Sequence, residues 1–199
     1  MGWAPYGQDF TLRPAGTLAG LVLVNPTGLR RHRAQRPFCA IKFVLWLYSL
    51  GEPAKNLMHP FMKYFYNNII GLRLDTGERA MMCVRTMASL EYAKGLRSHI
   101  DSINRRKNAR VLVVYGGNDI LIETEIPREL ACSFDDHREL ICNDSDEAAE
   151  KRFIQETCEL FSNGARTVSI NFVKDGHFLQ RDRARYIADS IEAILRSQM

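Results

Sequence analysis

Three short apolar runs constrain the fold of this chain more than any other feature of its sequence. They cover about Gly20–Val24, Arg110–Tyr115 and Thr167–Val173, and turn-forming residues follow each of them. Val, Leu and Ile are nearly continuous within the runs, which is typical of parallel strands that are covered on both faces. Segments with helical periodicity separate the runs, and parallel strands require such crossover connections. The sequence therefore predicts an α/β fold with three parallel strands flanked by helices.

A long helical block separates the first run from the second. It has no strand pattern, and Pro and Gly residues supply its breaks. We expect an inserted helical cap over residues 29–107, and a core made of residues 1–28 and 108–199. The predicted helices of the block are Phe38–Leu50, His59–Ile70, Glu78–Leu90 and Glu91–Ile103.

Two further helices are predicted between the second and third runs, and one after the third. Asp135–Glu139, which lies between the first two of these helices, is expected to be a solvated turn. Asp144 or Ser145 is the predicted N-cap of the second helix, and Gly164 is its predicted end. The last helix is expected over Arg181–Ser197, where apolar residues recur at helical spacing.

Composition narrows the class of protein. The 199 residues are 46% hydrophobic and 25% charged, as in a globular domain, and the net charge of +4 is too small to indicate nucleic-acid binding. Five widely spaced cysteines favour reduced thiols in a cytoplasmic protein. The longest apolar stretch, Phe38–Leu50, is interrupted by Lys42 and is shorter than the about 20 residues that cross a bilayer. We therefore expect a cytoplasmic chain with no transmembrane segment and no nucleic-acid partner.

Polar residues follow the second and third runs at the points where the strands end. In open parallel sheets, functional groups gather outside the carboxyl ends of the strands. Asp119 and His177 are placed to meet there, as a carboxylate that orients an imidazole base. From the residues alone, two alternatives stay open: the aspartate can be a turn former or helix cap, and the histidine can be structural.

No cofactor and no metal are predicted. The glycines of Tyr115–Asp119 lack the spacing of a dinucleotide loop and the lysine of a phosphate loop. The other four histidines show no metal-ligand spacing. The basic cluster at residues 30–36 can bind an anionic group, but a solvated hinge is the favoured interpretation; its members are Arg30, Arg31, His32, Arg33 and Arg36.

The order of these features resembles the C-terminal half of an α/β-hydrolase. The runs "GLVLVNPTG", "VLVVYGGND" and "VKDGHFLQRDRARYIADSI" correspond to the sixth, seventh and eighth strands, with a cap inserted after the sixth. The resemblance begins at about Leu18. It implies hydrolysis of an ester or related acyl bond, with Asp119 as the acid after the seventh strand and His177 as the base after the eighth.

One part of the family pattern is absent from this sequence. The nucleophile of such enzymes lies in a G-x-S-x-G turn ahead of the sixth strand, and here the first serine is Ser49. No loop corresponds to the oxyanion hole either. Without a nucleophile and oxyanion donors, the pair has no proton to take and no charge to stabilise. We therefore predict that the chain is inactive by itself.

A missing neighbouring strand would leave the first strand with an open edge. Three explanations stay open: a truncated product or incomplete gene model, a pseudoenzyme that pairs this edge with another protein, and a rebuilt N-terminal segment. The alternative function is thus a non-catalytic interaction module that uses the cap groove and the strand edge. The predicted partners are a small apolar or acyl ligand and a protein at the edge. A cap-borne nucleophile, Ser49 or Cys39, is a further but disfavoured hypothesis.

Overall fold

The structure is a computed structural model that describes residues 20–90, 92, 94–144 and 146–197. Its strands are β1 (Gly20–Val24), β2 (Arg110–Gly116), β3 (His137–Cys142) and β4 (Thr167–Phe172). Its α-helices are α1 (Phe38–Tyr48), α2 (Glu52–Phe65), α3 (Gly77–Ser89), α4 (Lys94–Asn104), α5 (Glu125–Ala131), α6 (Glu147–Ser162), α7 (Leu179–Asp182) and α8 (Ala184–Arg196). Arg33–Gln35 forms a 3-10 turn, and Tyr66–Ile70 forms a π-helical turn.

The four strands form one parallel sheet in the order β1-β2-β4-β3. The last strand in the chain, β4, therefore lies between β2 and β3. Because β2 and β4 are neighbours and run in the same direction, they end side by side, with Gly116 opposite Phe172. The loops that follow these two strands consequently meet at the carboxyl ends of the strands.

Helices cover both faces of the sheet. Leu112 and Val114 of β2 pack with α6 and α8, in a cluster that includes Phe161. Val113 points to the opposite face, where it packs with α4 and α5 in a cluster that includes Ile100. The three residues of β2 are fully buried. The α/β fold with helices flanking a parallel sheet is confirmed.

Strand β3 corrects the expectation of three strands. The sequence predicts a solvated turn at Asp135–Glu139, but a strand begins at His137 and pairs with β4 along its whole length. Its exposed Ile141 lies between the buried Leu140 and Cys142. This alternation is typical of an edge strand, so β3 lacks the continuous apolar run that marks the inner strands.

Strand β1 lies at the other end of the sheet. All five of its residues are half-buried, and β2 pairs with one side of it. Among the described residues, no strand pairs with its other side. Residues 1–19, the segment that a rebuilt N-terminus would use to cover this edge, lie outside the described residues.

Residues 33–91 form a compact unit of their own. Helices α2 and α3 approach closely, since a Cβ on Gly77 would collide with the backbone of His59. The hydroxyl of Thr76 caps α3 by accepting a hydrogen bond from the Arg79 N–H. The core of this unit consists of Ile41, Tyr48, Met58, Met62, Tyr66, Ala80, Met81 and Val84.

The larger unit contains residues 1–32 and 92–199. Helix α4 belongs to it, although the sequence places this helix in a cap that extends to residue 107. Ile100 and Ile103 of α4 pack in the same cluster as Val111 of β2, which explains the difference. That residues 33–91 act as a cap remains a proposal.

None of the helices among the described residues is long and apolar enough to cross a lipid bilayer. The most apolar of them, α1, has 11 residues. A membrane-spanning helix needs about 20.

Candidate functional site

Asp119 and His177 meet at the carboxyl edge of the sheet. Asp119 follows β2 and His177 follows β4, and the His177 Nδ1 lies 2.8 Å from the Asp119 Oδ2. The two strands are neighbours in space, but they are not consecutive in the chain, because β3 and two helices separate them. The structure thus brings together the two predicted site residues.

The carboxylate of Asp119 is held from both sides. Its side chain is only 2% exposed. Oδ1 accepts hydrogen bonds from the backbone N–H groups of Leu121, at 2.8 Å, and Ile122, at 3.1 Å. These two donors occupy Oδ1, so Oδ2 is the oxygen that faces the histidine. The residues after β2 therefore form a turn around the carboxylate that fixes its direction.

The tautomer of His177 follows from its partner. A carboxylate offers only acceptors, so Nδ1 carries the proton and donates to Asp119. The lone pair of the neutral ring then lies on Nε2. The side chain is 28% exposed, and its ring meets the edge of Phe178 at a centroid distance of 5.6 Å. Such a ring can take a proton at Nε2 while the carboxylate stabilises the resulting imidazolium.

Glycines let the two loops approach at the backbone. A Cβ on Gly116 would lie 2.5 Å from the Asp175 carbonyl oxygen and 2.6 Å from that of Gly176. The Asn118 N–H donates to the same Asp175 oxygen at 3.0 Å. Only glycine fits at residue 116, because any side chain there would push the histidine loop away from β2.

A buried ion-pair network holds the histidine loop from its other side. Arg183 donates to Asp175 at 2.6 Å and to Glu150 at 2.9 Å, and its guanidinium lies 4.7 Å from the centre of the Phe172 ring. Burial alone would lower the pKa of Arg183, but hydrogen bonds to the two carboxylates outweigh burial and raise it. Arg183 therefore stays charged and anchors Asp175, two residues before His177.

Sequence reasoning missed the role of Arg183. It lies in the charged run "QRDRAR", where a solvated helix face is the ordinary interpretation. Its neighbours Arg181 and Arg185 have that character, since their side chains are 76% and 58% exposed. The available signal is the position of Arg183 between apolar residues at helical spacing, Leu179 and Ile187.

Two members of the basic cluster have structural partners within the larger unit. Arg30 forms a bidentate ion pair with Glu129, at 2.9 Å and 3.0 Å, on the protein surface. His32 is buried, and its Nδ1 contacts the carbonyl oxygen of Leu121 at 3.1 Å. His32 thus supports the turn that holds Asp119.

The described residues contain no group of three or more His, Cys, Asp or Glu side chains arranged to hold a metal ion. The hydroxyl of Ser49, one of the two cap-borne nucleophile candidates, donates to the carbonyl oxygen of Trp46 at 2.6 Å. This bond closes the end of its own helix. Cys39 is an exposed thiol on α1.

Comparison with known proteins supports the family resemblance. Residues 8–196 match the model of the family "Alpha/beta hydrolase of unknown function (DUF1057)". The chain belongs to this family. The α/β-hydrolase resemblance deduced from the sequence is therefore confirmed for nearly the whole chain.

This α/β-hydrolase chain is also similar to the uncharacterized protein F35H12.5 of Caenorhabditis elegans. The two are 28% identical over 179 residues, which is 89% of this chain and 49% of the relative. The chain thus spans about half the length of the curated relative that it matches. No solved structure matches it significantly.

Proposed function

We propose that this chain carries the acid–base part of a serine hydrolase that cleaves esters or related acyl bonds. Asp119 orients His177, and His177 acts as the general base. The observation that supports this proposal is the 2.8 Å hydrogen bond between a buried carboxylate and a partly exposed imidazole. No partner of Nε2 is found among the residues that the structure describes, so the hydroxyl of a nucleophilic serine can approach it.

The reaction follows the general mechanism of such pairs. His177 takes the proton of a serine hydroxyl as the hydroxyl attacks the acyl carbon, and it returns that proton to the leaving group. Asp119 stabilises the imidazolium between these two steps. In the family order the nucleophilic serine precedes the sixth strand, which is β1 here. No serine precedes Ser49 in this sequence, so the serine must come from outside it. We propose that it is supplied on a strand that pairs with the open side of β1.

The 199-residue chain by itself should then be inactive. A fluorophosphonate probe labels activated serines, so purified chain should remain unlabelled and should not hydrolyse p-nitrophenyl esters above the background rate. Specific labelling that disappears in His177→Ala would contradict this part of the proposal, since it would reveal a nucleophile within the chain.

A longer form of the protein, extended at its N-terminus, tests whether the proposed base acts in catalysis. We expect an N-terminal extension with a G-x-S-x-G turn and its strand to confer labelling and esterase activity. In that form His177→Ala should reduce kcat on the order of a million-fold, and Asp119→Asn about ten-thousand-fold. Asp101→Asn, an exposed aspartate on α4, is the matched control and should leave kcat unchanged. Activity that survives His177→Ala would refute the assignment of the base.

The open side of β1 favours a second candidate function, a non-catalytic interaction module. A protein strand at this edge, or a small apolar ligand bound by residues 33–91, would be its partner. Size-exclusion chromatography distinguishes the candidates. A stable monomer that unfolds cooperatively would contradict an obligate partner at the edge, whereas an obligate complex without esterase activity in any form would favour it.

A further inference from the structure

Asn25 connects three parts of the site. It is the first residue after β1 and is nearly buried, with 9% of its surface exposed. Its side-chain Oδ1 accepts a hydrogen bond from the Gly116 N–H at 3.1 Å, and its Nδ2 donates to the backbone carbonyl of His177 at 2.5 Å. Its backbone N–H donates to the Val114 carbonyl at 2.8 Å. One residue thus joins the ends of β1 and β2 to the loop after β4.

The partners of Asn25 fix the orientation of its amide. Gly116 offers a donor and the His177 carbonyl offers an acceptor, so a flipped amide would place donor against donor and acceptor against acceptor. The backbone of Asn25 has a φ of +45°, in the left-handed region that asparagine tolerates better than most side chains. Asparagine is therefore suited to this position by both its backbone and its side chain.

His177 is consequently held at two points. Asp119 binds the ring at Nδ1, and Asn25 binds the backbone carbonyl of the same residue. Arg183 anchors the loop earlier, at Asp175, but it does not contact His177 itself. The direction in which Nε2 points depends on both contacts. The backbone contact fixes where the side chain begins, and the ring contact fixes how the ring is turned.

We propose that Asn25 is a positioning residue, whose amide keeps the His177 ring aligned with Asp119. This inference rests on the proposed function of His177 as the base. Without the amide, the His177 carbonyl and the Gly116 N–H lose their partners, and the loop shifts to expose them to water. The ring then leaves the geometry in which Asp119 selects the Nδ1–H tautomer.

The test measures the tautomer of His177 directly. Ring ¹⁵N chemical shifts, recorded above the pH at which imidazole is protonated, give the ratio of the Nδ1–H to the Nε2–H form, and His177→Ala assigns the signals. Asn25→Gly removes the amide and keeps the left-handed backbone available. Asn25→Asp keeps the acceptor for Gly116 but places a second oxygen against the His177 carbonyl. Asn143→Gly, at an exposed asparagine that directly follows β3, is the matched control.

We expect the ratio to fall about tenfold or more in both Asn25 variants and to stay unchanged in Asn143→Gly, since a lost hydrogen bond at a buried group has an effect of this size. A folded Asn25→Gly chain with the wild-type ratio would overturn the proposal. If Asn25→Gly does not fold, an unchanged ratio in Asn25→Asp would overturn it.

The two proposals fail in different ways. If the wild-type chain itself has the tautomer ratio of free histidine, the Asp119–His177 pair does not form in solution, and the proposed function fails together with the role of Asn25. If the wild-type chain favours Nδ1–H and the Asn25 variants do so equally, only the role of Asn25 fails.

Discussion

Replacing Arg183 with methionine should destabilise the fold more than any change at a neighbouring arginine. The side chain of Arg183 is 6% exposed, and those of its partners Glu150 and Asp175 are 12% and 14% exposed. Glu150 also accepts a hydrogen bond from the Tyr186 N–H at 3.1 Å, so it cannot easily turn towards water. Methionine fills similar space against Phe172 but leaves both carboxylates without their cation.

The expected loss follows from the burial of these charges. Removing one partner of a buried ion pair costs about 3–5 kcal/mol, because the remaining charge is left without compensation. Whole domains have free energies of unfolding of about 5–15 kcal/mol, so this loss is a large share of the total. With a urea m-value of about 2–3 kcal/mol per M, the unfolding midpoint should fall by about 1–2.5 M.

Urea denaturation followed by circular dichroism measures this loss. The control is Arg185→Met, because Arg185 is an exposed arginine two residues further along the chain, with a side chain that is 58% exposed and 3.2 Å from Glu147. Exposed pairs contribute about 0–1 kcal/mol. Combining Arg183→Met with Glu150→Gln and Asp175→Asn should recover much of the stability, since the unpaired charges are then gone. Equal, small losses in Arg183→Met and Arg185→Met would refute the reasoning.

Two further predictions concern pH and backbone contact. Burial lowers the pKa of His137 below its ordinary value of 6.5. The unfolded chain therefore takes up this proton at higher pH than the folded chain, so stability is fully present above about pH 6.5 and declines below it. Between pH 7.5 and pH 5, the free energy of unfolding should decline less in His137→Gln than in the wild-type chain. An identical decline in the two chains would contradict the prediction. Gly116→Ala should cost about 1–3 kcal/mol and shift the His177 loop, because its Cβ would meet the Asp175 backbone. Gly176→Ala should leave the stability and the loop unchanged, because its Cβ would have only ordinary contacts. Equal losses of stability in the two variants would refute the predicted clash at Gly116.

Strands β2 and β4 could be predicted from the sequence because both of their faces are buried, and β1 could be predicted because its residues are half-buried on both faces. Continuous apolar residues mark β1, β2 and β4, and the predicted bounds agree with the structure to within a residue. β3 could not be recognised, because an edge strand has one exposed face and two aspartates precede His137. Burial on two faces leaves a continuous apolar run in the sequence. The sequence of a short strand that is buried on only one face resembles that of a turn.

Helix ends were predictable only where a local signal specifies them. Gly164 follows the end of α6 with a φ of +93°, as a helix-ending glycine should. The N-cap of α6 is Asp146, whose Oδ1 accepts from the Ala149 N–H at 2.7 Å, rather than Asp144; Ser145 lies outside the described residues. Several capping residues in a row left the start of this helix ambiguous.

The site was predictable to the extent that topology determines it. Parallel strands predict which loops meet, and this suffices to pair Asp119 with His177. The contribution of Asn25 depends on a side chain that reaches across two strands, and that of Arg183 depends on its burial within a charged run between α7 and α8. Asn25 leaves no pattern along the chain, and Arg183 leaves only its spacing from Leu179 and Ile187, because both contributions depend on three-dimensional contacts.

The pairing of Asp119 with His177 is tested most directly by the His177 tautomer in Asp119→Asn. Oδ1 of residue 119 accepts two backbone N–H groups, so an asparagine must keep its oxygen there and present its NH₂ group to the His177 Nδ1. Ring ¹⁵N shifts should then show the Nδ1–H form in the wild-type chain and the Nε2–H form in the variant. The same tautomer ratio in both chains would contradict the account.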